Sequence, residues 1–130
     1  LFDASIAEHG LELLDSRTAH WETEEANTVF TTMLTAHPDV QGVMAANDSM
    51  ALGVVKAIEA AGLTGKIQVI GFDGIPAIRP MIEDGRVLTT VDQFGREMAA
   101  DAISRGIESF RSGVPLEGWV KTDMVLVTKE

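Results

Sequence analysis

Short apolar runs alternate with helix-period segments along most of this chain, and that alternation leaves few folds open. Residues 11–16, 42–46, 67–72, 87–91 and 124–128 read as short strands. Between or beside them, residues 2–9, 23–36, 48–61, 76–83 and 95–112 carry helical patterns. In the second of these, Ala26, Val29, Phe30, Met33 and Leu34 fall at helical spacing, and His37-Pro38-Asp39 ends the run. Helix 48–61 is apolar on most faces, through Met50, Leu52, Val54, Val55 and Ile58, and is expected to be well buried. Asp48 is placed to cap it, and Gly62 to close it. Apolar strands separated by helices are the pattern of βαβ units. The expected class is α/β, an open parallel sheet with helices on both faces.

The sheet is also expected to be incomplete. The chain opens inside a helix stopped by Gly10, with no strand before it. Residues 112–118 form a loose linker that leaves helix 95–112 weakly tied to the rest. That helix carries an apolar stripe at Met98, Ala99, Ala102, Ile103, Ile107 and Phe110. An uncovered stripe of this kind promotes self-association. The first residue is Leu1 rather than methionine, which we read as a processed or truncated start.

Charge and composition exclude several functions. The net charge is −10, of which −8 falls in residues 1–65, where Arg17 and Lys56 are the only Lys or Arg. Nucleic acid is therefore disfavoured as a partner, because phosphate contacts need clustered cations. No apolar run approaches the roughly 20 residues of a membrane-spanning helix. With no cysteine there is neither a disulfide framework nor a thiolate metal site. His9, His20 and His37 lack metal-type spacing with acidic partners. No G-x-S-x-G or G-x-G-x-x-G is present, and Gly62-Leu63-Thr64-Gly65-Lys66 is too short for a phosphate loop. We expect no metal, no cofactor and no enzyme.

The strand ends carry the chemistry that remains. In an open α/β sheet, ligands bind beyond the carboxyl ends of the strands. Right-handed parallel connections bring those ends to one edge. Trp21 follows the first strand, Asn47 the second, Asp73 the third, and Asp92 and Gln93 the fourth. A carboxylate accepts from neighbouring hydroxyls, and amides both donate and accept. An indole offers a flat stacking face. The set suits a polyhydroxylated, uncharged ligand, and no Arg or Lys stands at these ends to favour an anion. Each residue also has a plainer use. Asn47 and Asp48 are helix caps, Asp73 before Gly74 is a turn former, Trp21 is a core side chain, and Gln93 and His20 are surface groups.

Ala46-Asn47-Asp48-Ser49-Met50-Ala51-Leu52-Gly53, Val69-Ile70-Gly71-Phe72-Asp73-Gly74 and Leu88-Thr89-Thr90-Val91-Asp92-Gln93 together resemble the periplasmic sugar-binding proteins of ABC transporters. The ribose- and galactose-binding group, of the type I periplasmic binding fold, is the closest in look. Thr18-Ala19-His20-Trp21-Glu22, His37-Pro38-Asp39-Val40 and Val125-Leu126-Val127-Thr128-Lys129 are similar to further segments of that family. The resemblance implies two α/β lobes joined by a three-strand hinge and closing on one sugar. It implies that Trp21 stacks on the sugar ring, and that Asn47, Asp73 and Gln93 bind its hydroxyls, Gln93 from the hinge side. The partners implied are a monosaccharide or polyol and the membrane permease of an ABC transporter, in the periplasm.

By the same resemblance, residues 1–93 are the C-terminal sugar-binding lobe without its first strand. Residues 94–118 are a helix and linker of the absent N-terminal lobe, and residues 119–130 a C-terminal hinge and strand. A complete clamshell is then not expected from these 130 residues. The alternative is the effector-binding core of a lactose-repressor-type regulator, which shares the Asn-Asp and Gly-Phe-Asp motifs.

Overall fold

A four-stranded sheet in the order β1-β2-β3-β4 organises the chain. The computed structural model describes residues 2–130. Helix α1 (Phe2–Glu8) is followed by an irregular stretch and by α2 (Thr23–Ala36). Then come β1 (Gly42–Met44), α3 (Asp48–Ala60), β2 (Gln68–Ile70), α4 (Arg79–Glu83), β3 (Thr89–Asp92), α5 (Gly95–Ser112) and β4 (Val125–Thr128). β1 pairs parallel with β2 from Gly42–Gln68 to Met44–Ile70, and β2 pairs parallel with β3 at Ile70–Thr89. These are the expected βαβ units, with α3 and α4 as the intervening helices.

The fourth strand departs from the expected all-parallel sheet. β4 lies antiparallel to β3, pairing Thr89 with Thr128 and Asp92 with Val125. Helix α5 and the segment after it return the chain to the end at which β3 left, so β4 runs back along it. A second correction concerns residues 11–16, which form no strand. Leu11, Leu13 and Leu14 are exposed, and among the described residues no strand lies beside them. An apolar run becomes a strand only where a neighbour takes up its backbone groups.

The core forms where α2 and α3 pack together over the sheet. Phe30 and Leu34 of α2 meet Ala51, Val54, Val55, Ala57 and Ile58 of α3, with Val69 of β2 and Ile78, Ile82 and Val87 around α4. Each buried Val, Ile or Phe contributes about 1.5–3 kcal/mol relative to leaving it in water. The expectation that α3 is well buried is borne out.

Helix α5 is different. None of its residues is buried, and Ile103, Ile107 and Phe110 stand exposed. The segment that follows is exposed too, with Trp119 fully so.

Candidate functional site

The start of α3 fixes the first part of the site. Asn47, not Asp48, is the cap: its backbone is extended (φ −148°, ψ 166°) and its Oδ1 accepts from the Met50 amide at 2.8 Å. Asp48 is already the first helical residue. Its amide donates to the Phe72 carbonyl at 2.7 Å, and its side chain turns inward and is fully buried. The same Asp48–Phe72 bond sets the end of β1 beside the end of β2, so Asn47 neighbours the loop that carries Asp73. Capping occupies Oδ1 and fixes the amide; Nδ2 makes no hydrogen bond among the described residues.

The β2–α4 loop supplies the second part. Asp73 sits at φ 116°, which a side chain strains to adopt, and Gly74 follows at φ 71°. The Asp73 amide donates to the Val91 carbonyl at 2.9 Å, tying the loop to β3. Gln93, half-buried just past β3, donates from Nε2 to Asp73 Oδ1 at 2.8 Å. The structure therefore brings Asp73 and Gln93 into contact and puts Asn47 on the adjacent strand end. The Asp73–Gly74 pair does make a turn, as its sequence allows, and Gln93 is not a free surface group.

Trp21 is not core. It is 63% exposed, and its backbone and that of His20 both lie in the left-handed region, at φ 69° and 44°. Two successive non-glycine residues there need local support. Glu22 N donates to Ala19 O at 2.8 Å, and His20 Nδ1 lies 2.8 Å from Glu25 Oε1. Thr23 Oγ1 donates to the Ser49 carbonyl at 2.8 Å, anchoring this loop to the first turn of α3. The loop that carries Trp21 is thus tied to the first turn of α3, the helix that Asn47 caps.

Several groups at this edge escape a reading of the sequence. Arg79 of α4 reaches back to Asp92, Nη2 to Oδ2 at 3.1 Å, so one cation does stand at a strand end. Asp92 Oδ1 accepts from the Phe94 amide at 2.9 Å. Asp48 accepts from the Thr90 hydroxyl at 2.7 Å and from the Ile75 amide at 2.9 Å. Among the described residues no group of three or more His, Cys, Asp or Glu is placed to hold a metal ion. A separate groove of about 340 Å³ opens between α5 and residues 120–123 and shares only Gln93 with the cluster.

Burial raises the Asp48 carboxyl above its ordinary 3.8; its hydrogen bonds from Thr90 and from the Ile75 and Gly74 amides oppose the rise, and the nearby Asp73 charge adds to it. A carboxyl raised in the folded state binds its proton more tightly there than in the unfolded chain. Stability from this group is therefore present at low pH and is lost as pH rises through the folded value. The unfolding free energy of the wild type, measured against Asp48→Asn in urea, is expected to fall relative to the variant as pH rises above the ordinary carboxyl value of 3.8. A difference independent of pH across the acid range would contradict the assignment.

The sequence model of the periplasmic binding protein domain matches residues 2–106 of the chain. The chain belongs to that family. A D-ribose/D-allose-binding protein of Pseudomonas aeruginosa is 42% identical over 122 residues, which span 92% of this chain and 38% of the relative. Among solved structures, an ABC transporter periplasmic solute binding protein of Actinobacillus succinogenes with bound D-allose superposes with a TM-score of 0.89 at 38% identity. It covers 97% of this chain and is itself covered over 45%. A Caulobacter myo-inositol binding protein bound to myo-inositol gives a TM-score of 0.91 at 31% identity, covering 98% of this chain and 44% of that one. The chain thus spans less than half the length of these relatives. The α/β fold and the resemblance to ribose-type sugar-binding proteins of ABC transporters are borne out. The relatives are binding proteins rather than enzymes, and the regulator alternative is not favoured.

Proposed function

We propose that this chain is the C-terminal part of an extracytoplasmic solute-binding protein that delivers a monosaccharide or related polyol to an ABC permease. The observation that carries the reading is the strand-end cluster. Asp73 in a strained turn is bonded to Gln93, and the capped Asn47 amide lies on the next strand. Asp73 offers acceptors, Asn47 Nδ2 and Gln93 offer donors, and Trp21 offers a stacking face, which together match the donor-and-acceptor pattern of sugar hydroxyls. No bond is made or broken in such a role; the ligand acts by favouring a closed arrangement of lobes.

The unburied α5 supports a second part of the proposal. Residues 1–93 form the sugar-binding lobe, 94–118 cross to the other lobe, and 119–130 return through the hinge. Half of the ligand contacts then come from outside this chain. The isolated 130-residue chain is accordingly expected to bind D-ribose and D-allose weakly or not at all by calorimetry, and micromolar binding would overturn this division. The full-length protein, screened by thermal shift against monosaccharides and polyols, is expected to respond to at least one of them. Trp21→Ala should then weaken binding about tenfold, the loss of one ring-stacking contact. If Trp21→Ala and Asp73→Ala both bind as the parent does, the site is wrongly assigned.

A further inference from the structure

Asp48 touches no solvent and has no place in the ligand contacts proposed above, yet it is bonded on every side to the loop that carries Asp73. Its Oδ1 accepts from Thr90 Oγ1 of β3 at 2.7 Å, and its Oδ2 accepts from the Ile75 amide at 2.9 Å. The Thr90 hydroxyl in turn accepts from the Gly74 amide at 3.4 Å. The Asp48 amide holds the Phe72 carbonyl. The Ile75 amide is thereby bonded to this buried side chain directly and the Gly74 amide through Thr90, while Phe72 is held by the Asp48 backbone. Asp73 is the residue they enclose. The loop also fits closely over the carboxylate: at Gly71 any Cβ would collide with Asp48 Oδ1.

Such an arrangement needs an explanation beyond folding. A buried carboxylate is costly unless its oxygens are satisfied, and an aliphatic pair of similar volume would often be as stable. What the aliphatic pair could not do is hold the Gly74 and Ile75 amides, the two that follow a residue held at φ 116°. We propose that Asp48 and Thr90 are positioning residues, a buried strut that holds the strained Asp73 turn so that its carboxylate meets Gln93 and the ligand. The inference rests on the sugar-binding reading above. The strut acts through Asp73 and touches no ligand. It turns the burial of Asp48 at the start of α3 into the orientation of one half-buried carboxylate.

The test uses the full-length protein with D-ribose and D-allose as probes, and reads both affinity and the side-chain amide resonances of Gln93. Thr90→Val keeps the volume and removes the hydroxyl; Thr90→Ser keeps the hydroxyl. Thr90→Val is expected to weaken binding about tenfold and to shift the Gln93 amide signals even without sugar, because the Asp73–Gln93 bond is displaced. Thr90→Ser is expected to restore both to near the parent. If Thr90→Val does not fold, Asp48→Asn, which keeps the shape and exchanges an acceptor for a donor, should produce the same two changes. A lowered melting temperature with unchanged affinity and unchanged Gln93 signals would overturn the proposal and leave the pair as packing alone. Failure of Asp73→Ala to weaken binding would instead overturn the sugar site, while the Gln93 signals would still report whether the strut holds the turn.

Discussion

Replacing Asp73 is expected to abolish useful sugar binding while leaving the fold intact, and with one substitution to make the fold more stable. In the proposed site its carboxylate accepts from two ligand hydroxyls, and hydrogen bonds to a charged group contribute about 1.5–3 kcal/mol each. Losing two predicts a fall in affinity of at least about 100-fold. Stability should move the other way. Asp73 is held at φ 116°, where a side chain costs about 1–3 kcal/mol. Asp73→Gly removes that strain together with the carboxylate, offset in part by the greater freedom of glycine in the unfolded chain. Asp73→Ala removes only the carboxylate. Both variants should lose binding, and only Asp73→Gly should melt at or above the wild-type temperature. The measurements are ligand titration by calorimetry and thermal unfolding without ligand. Binding by Asp73→Gly within about threefold of the wild type would refute the role, and melting well below Asp73→Ala would refute the strain.

The same residue shows how far the sequence alone can be read. Elements fixed by local signals are legible in it. Helix α2 ends at Ala36 because His37-Pro38 cannot continue it, and α5 ends at Ser112 because Gly113, in a left-handed conformation, closes it. The strand ends are legible too, since apolar runs followed by Asn47, Asp73 and Gln93 need only the topology of the sheet to come together. What stays hidden depends on distant partners. Asn47 and Asp48 are equally good caps by residue type, and the choice between them is made by Thr90, 42 residues away from Asp48. Residues 11–16 have the composition of a strand but pair with no strand among the described residues, and composition does not reveal that. The Arg79–Asp92 pair joins a helix to a strand end, a contact that no local pattern announces. His20 and Trp21 carry left-handed backbones that nothing in their residue types requires.

Gly53→Ala should destabilise the scaffold strongly, and its effect should reach Trp21, the proposed stacking residue. At Gly53 helices α2 and α3 approach so closely that any Cβ would overlap the Thr23 carbonyl. It would also lie 2.9 Å from the Asn27 amide nitrogen and 3.1 Å from Ala26 Cβ. Backbone atoms cannot turn aside as a flexible side chain can, so even Gly53→Ala must push the helices apart. Overpacking of this kind costs about 1–3 kcal/mol. Two hydrogen bonds cross the same contact, from Asn27 Nδ2 to the Gly53 carbonyl at 3.2 Å and from Thr23 Oγ1 to the Ser49 carbonyl at 2.8 Å. Losing both would add about 1 kcal/mol each. The higher helix propensity of alanine returns about 1 kcal/mol. The net expectation for Gly53→Ala is a loss of about 2–4 kcal/mol in urea unfolding, a large share of the 5–15 kcal/mol typical of a domain. Because Thr23 anchors the loop before α2, the variant that does fold should hold Trp21 less firmly. Its ligand affinity should fall toward that of Trp21→Ala, and adding Trp21→Ala to it should then cost little more. A Gly53→Ala protein with unaltered stability would show that the two helices are not held in this contact, and fully additive losses of affinity would show that Trp21 is positioned by something other than α2.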